Sequence, residues 1–359
     1  MKTLIVRRRF MLGTAAAAAA GAGSRSTRAA EPLHVGFVYV GPVGDFGWSY
    51  QHDHGRKAME AALGEAVKTT FVEKVPEGPD SERVIRQLAS NGNGLIYTTS
   101  FGFMNPTERV ARQFPKVKFE QATGYKTLPN MAAYNARFYE GRAVCGTIAG
   151  HVSKSGVAGY VASVPIPEVV MGINAFTLAA RKVNPNFQTK VIWVNSWFDP
   201  GKESDAAKSL IDQGADVLCQ HTDSPAVMQT AESRSVLAFG QASDMREFGP
   251  KAQLTAIVNN WAPYYIERTK AVLDGTWKTS NIWWGMKQGL VEMAPYGPGV
   301  TAAAHEAADA ARAGINAGSL NPFAGPIKDQ KGELKVGAEA VIPDEELLKL
   351  NWYVQGVQA

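Results

Sequence analysis

The chain has 359 residues, 45% of them apolar and 19% charged, with a formal net charge of +4. Six of its 37 cations lie in residues 1–29, which hold no acid, so the remainder sets 31 Lys and Arg against 33 Asp and Glu. That near-neutral balance lacks the basic footprint that phosphate backbones demand and argues against a nucleic-acid partner, and the length exceeds what one core usually holds and predicts two lobes.

The first 29 residues read as an address. Arg7-Arg8-Arg9-Phe10-Met11-Leu12 followed by an Ala-rich apolar run is the twin-arginine export pattern, and Thr27-Arg28-Ala29 supplies small residues for cleavage. The run is too short for a membrane span, and no other stretch of 18 apolar residues follows. The two cysteines, Cys145 and Cys219, lie far from the cut. The expectation is a periplasmic protein without a lipid anchor. Whether the two thiols pair stays open, and no spacing resembles a thiolate metal site.

From residue 33 onward, short β-rich runs alternate with helical patterns, the signature of parallel sheets. In the first series, strands are expected over 35–40, 69–72, 95–98 and 118–121, with helices over 50–63, 80–90 and 105–114. Asp80 and Asn105 read as N-caps. After a helix over 139–153, a second series repeats the plan: strands over 157–162, 190–194, 217–220, 237–240 and 254–258, with helices over 169–183, 200–212 and 226–234. A helix over 264–273, a Trp-rich strand over 282–291, an Ala-rich helix over 301–317, a Pro/Gly/Lys-containing loop or hairpin over 321–337 and a short helix over 344–353 close the chain.

Two aromatic turns follow apolar strands, one in each series: Gly44-Asp45-Phe46-Gly47-Trp48 and Asn195-Ser196-Trp197-Phe198-Asp199-Pro200-Gly201-Lys202-Glu203. In open α/β sheets, ligands bind outside the carboxyl ends of strands. Each turn would bring an indole and a polar group there, a clamp for a flat molecule with polar edges. Asp45 suits an exocyclic amine or ring N–H, or the cap of the following helix. His221-Thr222-Asp223 stands at another strand end of the second series. His52-Asp53-His54 does not read as a metal site, because residues two apart do not share a helix face. A solvated helix face, or one His near the cleft rim, fits it better. Lys202-Glu203 reads as a surface or hinge ion pair, and Tyr125, Trp261 and Tyr264 stay undecided.

With these residues in view, the chain resembles the basic membrane protein family of solute-binding proteins, which serve ABC importers and include the purine nucleoside receptors. The two aromatic turns carry the resemblance together with Gly214-Ala215-Asp216-Val217, Gly240-Gln241-Ala242-Ser243-Asp244, Pro322-Phe323-Ala324-Gly325-Pro326-Ile327 and Trp352-Tyr353-Val354-Gln355-Gly356-Val357. It implies an α/β, type I periplasmic-binding-protein fold: two doubly wound lobes joined by a hinge of crossing segments near residues 135–139, 259–263 and 281. Lobe 1 would take residues 33–136 and 260–280, lobe 2 residues 137–259 and 281–300, and residues 301–359 would pack on both. It also implies a purine held between the rings of Trp48 and Trp197, with Asp45, Phe46, Thr123, His221, Thr222, Asp223, Gln241, Asp244 and Asn259 as further ligand contacts.

The chain departs from the nucleoside receptors. Ala242 replaces the acid that holds ribose hydroxyls, Asn259 or Asn260 aligns with a lysine, and Ala122-Thr123 stands where another acid is expected. With both stacking rings enlarged to Trp, the pattern favours a free base such as adenine over a nucleoside or another small heterocycle. The implied partner is an ABC permease of the inner membrane, and the expected form is a monomer without cofactor or metal. A nucleoside-cleaving hydrolase is disfavoured, since no nucleophile elbow, phosphate loop or acid cluster is present. A sensor subunit would use the same binding physics.

Overall fold

A computed structural model of the protein describes residues 1 and 31–359. The expected export signal lies outside the described residues. Residues 32–359 form one compact unit.

The first lobe opens with β1 (Leu33–Val38), α1 (Gly47–Leu63), β2 (Val67–Val72), α2 (Pro79–Ser90), β3 (Leu95–Thr98), α3 (Met104–Gln113), β4 (Lys118–Ala122) and β5 (Met131–Ala136). The chain then crosses to the second lobe: α4 (Phe138–Val152), β6 (Val157–Ala162), α5 (Pro167–Val183), β7 (Gln188–Trp193), α6 (Pro200–Asp212), β8 (Val217–His221), α7 (Ala226–Ser233), β9 (Leu237–Gly240) and β10 (Gln253–Asn259). It returns to lobe 1 as α8 (Ala262–Leu273) and β11 (Asn281–Trp284), then crosses a third time to β12 (Val291–Met293). The end of the chain comprises α9 (Ala302–Ala317), the hairpin β13 (Ile327–Lys328) and β14 (Leu334–Val336), the short α10 (Asp344–Leu347) and β15 (Val357–Gln358).

The lobe sheets share one plan. Their orders are β2-β1-β3-β4-β5-β11 and β15-β7-β6-β8-β9-β10-β12, so in each the strand sequence reverses direction beside the first strand of the series. That reversal opens a crevice at the carboxyl ends of the strands. Every pairing among β1–β5 and among β6–β10 is parallel, and only β12 joins its sheet antiparallel. The strands of such sheets are covered on both faces, which is why β3, β5 and β8 are buried at every residue.

Several details differ from the sequence expectation: β5 falls in no expected element, and the short helix expected over 344–353 ends at Leu347. The strand expected over 282–291 is two strands in two sheets: β11 pairs with β5 and β12 with β10, separated by a 3-10 turn at Met286–Gln288. The third crossing therefore lies in residues 285–290, and β11 sits in the first sheet rather than the second. Asp80 is no cap, because α2 begins at Pro79 behind Gly78; Asn105 is no cap, because a 3-10 turn at Phe101–Phe103 runs straight into α3. Cys145 and Cys219 are buried free thiols.

The tail straps the hinge. Arg137, at the first crossing, forks onto the Asp344 carboxylate with Nη1–Oδ1 at 2.8 Å and Nη2–Oδ2 at 2.5 Å. Asn174 of α5 binds Trp352 O and the Val354 N–H, and β15 adds an edge strand to β7.

Candidate functional site

A cavity lies between the lobes, at the carboxyl ends of both sheets. Lobe 1 contributes Val40, Trp48, Ser100, Phe101 and Thr123; lobe 2 contributes Glu168, Trp197, His221, Asp223 and Gln241. Two indoles with a few convergent polar groups are the lining expected of a small-molecule site.

Trp48 stands in the first turn of α1. Its Nε1–H donates to Thr99 O at 2.6 Å, and its ring packs edge-on against His52 and Trp261. Behind it His52 is fully buried and stacked on Trp261, with the rings 4.4 Å apart and 13° from parallel. Burial holds the His52 imidazole neutral. Of the two readings of this stretch, the solvated face does not hold for His52, which is buried directly behind the cleft residue Trp48: residues 48, 52, 55 and 59 form the inward stripe of α1 at helical spacing. Trp261 and Tyr264 are likewise fully buried in lobe 1 rather than at the cleft. Among the described residues no group of His, Cys, Asp and Glu could hold a metal ion.

Trp197 lies beyond β7, in a turn anchored from two sides. Its carbonyl accepts the Asp223 N–H at 2.9 Å, which ties the Trp197 turn to the loop after β8. Glu203, fully buried in the first turn of α6, accepts the Asp199 N–H at 2.9 Å and the Ser224 hydroxyl at 2.6 Å, fastening the same two loops again. Lys202 pairs with Asp199 instead, so the expected Lys202–Glu203 ion pair does not form. Asp199 caps α6 by accepting the Lys202 N–H.

The floor is set by Arg142 of α4, fully buried. It donates to Cys219 Sγ at 2.9 Å, to Gln220 O at 2.5 Å and to Gln241 Oε1, and its guanidinium lies over the rings of Phe138 and Tyr160. With its oxygen held there, Gln241 has its amide N–H groups left to offer a ligand.

Two carboxyl groups face the cavity. Burial, reinforced by the neighbouring Glu203 carboxylate, pushes Asp223 up to about 8, against a hydrogen bond from the Trp48 backbone. Burial pushes Glu168 up to about 7, against the attraction of Arg142. His221 is pushed well down by burial and by Arg142, so it stays neutral.

Backbone strain concentrates at this rim. Thr123 (φ 64°), Asn195 (φ 53°) and Ala242 (φ 58°) are left-handed non-glycine residues directly beyond β4, β7 and β9. Such conformations persist where the surroundings over-determine them, commonly at ligand sites.

The lobes touch through the first βα turn. The Gly47 N–H donates to Ser243 Oγ at 2.7 Å, and Phe46 packs edge-on against Phe248 with ring centroids 4.7 Å apart.

Of the eleven residues singled out from sequence, Trp48, Thr123, Trp197, His221, Asp223 and Gln241 meet at the cavity. The other five do not line it. Asp45 is exposed and makes no cap, since Phe46 holds that position. Phe46 is spent on interlobe packing. Thr222, in the bend just beyond β8, is buried and does not line the cavity. Asp244 is exposed and bound to Gln253 and Arg246. Asn259 is fully buried beyond the cavity wall, at the end of β10. Sequence reasoning does not single out Val40, Ser100, Phe101 or Glu168. Val40 follows β1, and Ser100 and Phe101 follow β3, so these three obey the strand-end rule applied to Trp48 and Trp197, whereas Glu168 reads only as an ordinary acid in a helix's first turn.

Residues 33–311 match the family described as ABC transporter substrate-binding protein PnrA-like (Bmp). The chain is 60% identical to a purine-binding protein of Brucella abortus over 350 residues, 97% of this chain and 96% of that one. It is 39% identical to a putative ABC transporter glucose-binding protein of Haloferax volcanii over 76% of this chain and 69% of that one. An ABC transporter solute-binding protein from Aeropyrum pernix K1 shares the fold, with a TM-score of 0.70 at 18% identity over 83% of this chain and 93% of that one. The chain therefore belongs to the Bmp family of PnrA-like substrate-binding proteins of ABC transporters.

Proposed function

We propose that the protein binds a purine base of the adenine type between Trp48 and Trp197 and delivers it to an ABC permease of the inner membrane. The observation that carries this reading is that two indoles, one from each lobe, line one cavity at the strand ends of both lobes. A base stacked on an aromatic ring gains about 1–3 kcal/mol. The ring's polar edges then meet the Asp223 carboxyl and the Gln241 amide, both in that wall. The purine named for the Brucella relative supports the class; the sugar named for the Haloferax relative shows that family membership alone does not fix it. Export to the periplasm and action as a monomer belong to the same reading.

A nucleoside is the second reading, and one observation favours it. A smaller pocket shares Phe101, Thr123 and Glu168 with the cavity and runs to Asn135 at the hinge, the direction in which a substituent on the base would extend.

Isothermal titration with adenine and adenosine tests both. The proposal expects adenine to bind more tightly, and Trp48→Ala and Trp197→Ala each to weaken it by about 1–3 kcal/mol. Wild-type affinity in both variants would remove the clamp, and a tenfold gain from ribose, about 1.4 kcal/mol, would establish the nucleoside.

A further inference from the structure

We propose that the cavity selects uncharged, amino-substituted heterocycles and rejects anionic ones, and that Glu168 is the second carboxyl the ligand meets. The proposal rests on the purine reading above and adds the charge class of the ligand and a contact residue.

Among the described residues the acids lining the cavity are Glu168 and Asp223, from different elements of lobe 2, and no Lys or Arg lines it. The cation beneath, Arg142, is fully buried and already engaged by Cys219, Gln220 and Gln241. His221, the remaining titratable group in the wall, is only 6% exposed, and its Nδ1 has no protein partner. It is a neutral hydrogen-bonding group rather than a counter-ion.

Such a wall has one sign. A ligand that brings N–H groups satisfies the carboxyl oxygens, because hydrogen bonds to an ionised acceptor are the strong ones. A ligand that brings a negative charge is desolvated beside two acids with no cation to pair it, the repulsive element by which sites discriminate. Position adds to charge. Glu168 stands where the cavity opens into the smaller pocket towards Asn135, so a phosphorylated substituent directed there would pass this carboxyl.

The groups around each acid are few. Glu168 faces Arg142 of α4 and Tyr160 of β6; Asp223 faces Glu203 of α6 and the Trp48 backbone of α1. Only Arg142 offsets a negative charge at Glu168, so neutralising this side chain alone should relax the selection.

The test is titration calorimetry with adenine and xanthine at about pH 8.5, where xanthine is largely an anion and both acids are largely ionised. Wild type should bind xanthine at least about 100-fold more weakly than adenine, and Glu168→Gln should weaken adenine and narrow that ratio at least about tenfold. An unchanged ratio in a folded Glu168→Gln, or xanthine bound as tightly as adenine by wild type, overturns the inference while leaving the purine clamp in place. Should Glu168→Gln fail to fold, the wild-type ratio from about pH 6 to pH 9 decides: it must climb as xanthine ionises, and a flat ratio overturns the inference. Wild type that binds no purine at all overturns the underlying reading and this one with it.

Discussion

Gly47→Ala separates the energetics of the βα turn from those of lobe closure. Gly47 has φ +84°, and a Cβ built there would lie 2.8 Å from the Asp223 carbonyl oxygen, across the cleft. The left-handed backbone costs an L-residue about 1–2 kcal/mol whether the lobes are open or closed. That part should appear as lower stability of the unliganded protein. The second part is paid only on closure. The contact is with backbone, which cannot swing aside, so the overpacking costs about 1–3 kcal/mol. The Gly47–Ser243 hydrogen bond, worth about 0.5–1.5 kcal/mol net, is weakened with it. Together they predict a loss of about 2–4 kcal/mol in binding, or about 30- to 1000-fold in affinity. Titration calorimetry reads the second part and thermal unfolding without ligand the first. Full affinity in a destabilised Gly47→Ala would refute the reasoning, since the turn would then not dock on the Asp223 loop in the bound state.

Further outcomes follow from the same structure. Phe46→Ala should weaken ligand binding while hardly changing the unliganded thermal midpoint, because this lobe-1 ring packs on Phe248 and the core of the other lobe; equal losses in both assays would place the contact in the fold rather than in closure. Glu203→Gln removes the like charge beside Asp223, so the Asp223 titration midpoint, followed by carboxyl-carbon NMR, should fall below about 8 yet stay above the ordinary carboxyl range because burial is the larger cause. An unmoved midpoint would exclude Glu203 as a cause. Asp223 and Glu168 are raised above 3.8 and 4.5 to about 8 and about 7, so between those limits the native state holds more protons than the unfolded one. Their contribution to stability is therefore full below about pH 4 and falls as pH rises through 8, and Asp223→Asn with Glu168→Gln should flatten the thermal midpoint between about pH 6 and pH 9. Glu120→Ala leaves Arg268 without its buried partner and strips Tyr264 and Trp277 of an acceptor, and should cost about 3–5 kcal/mol in denaturant unfolding. A loss under about 1 kcal/mol would show that water replaces the carboxylate.

The parts of the site that were legible in sequence are those where position along a strand carries the meaning. Trp48, Trp197, His221 and Asp223 all follow apolar runs, and the end of a parallel strand faces the crevice whatever the side chain. Contacts set by tertiary packing were not legible. Glu203 sits beside Lys202 in sequence, which suggests a surface pair, but its carboxylate turns inward to join two loops. Glu168 differs from other first-turn acids only through the cavity it faces. The same limit explains β5, which reads Met-Ala-Ala-Tyr-Asn-Ala, without the β-branched residues or alternation that mark a strand, because both of its faces are covered. The break between β11 and β12 is a tertiary matter as well. At Gly285 the backbone approaches the Glu140 carboxylate too closely for a side chain, and a 3-10 turn at Met286–Gln288 follows before the chain passes to the other lobe.

The central claim is that the cleft holds a purine base without ribose, and native mass spectrometry of the freshly purified protein, before and after release of bound small molecules, tests it most directly. The account predicts a released species with the mass of adenine or another nucleobase. A nucleoside mass would contradict the free-base reading, and an empty protein that shows no thermal shift with any purine would contradict the claim itself.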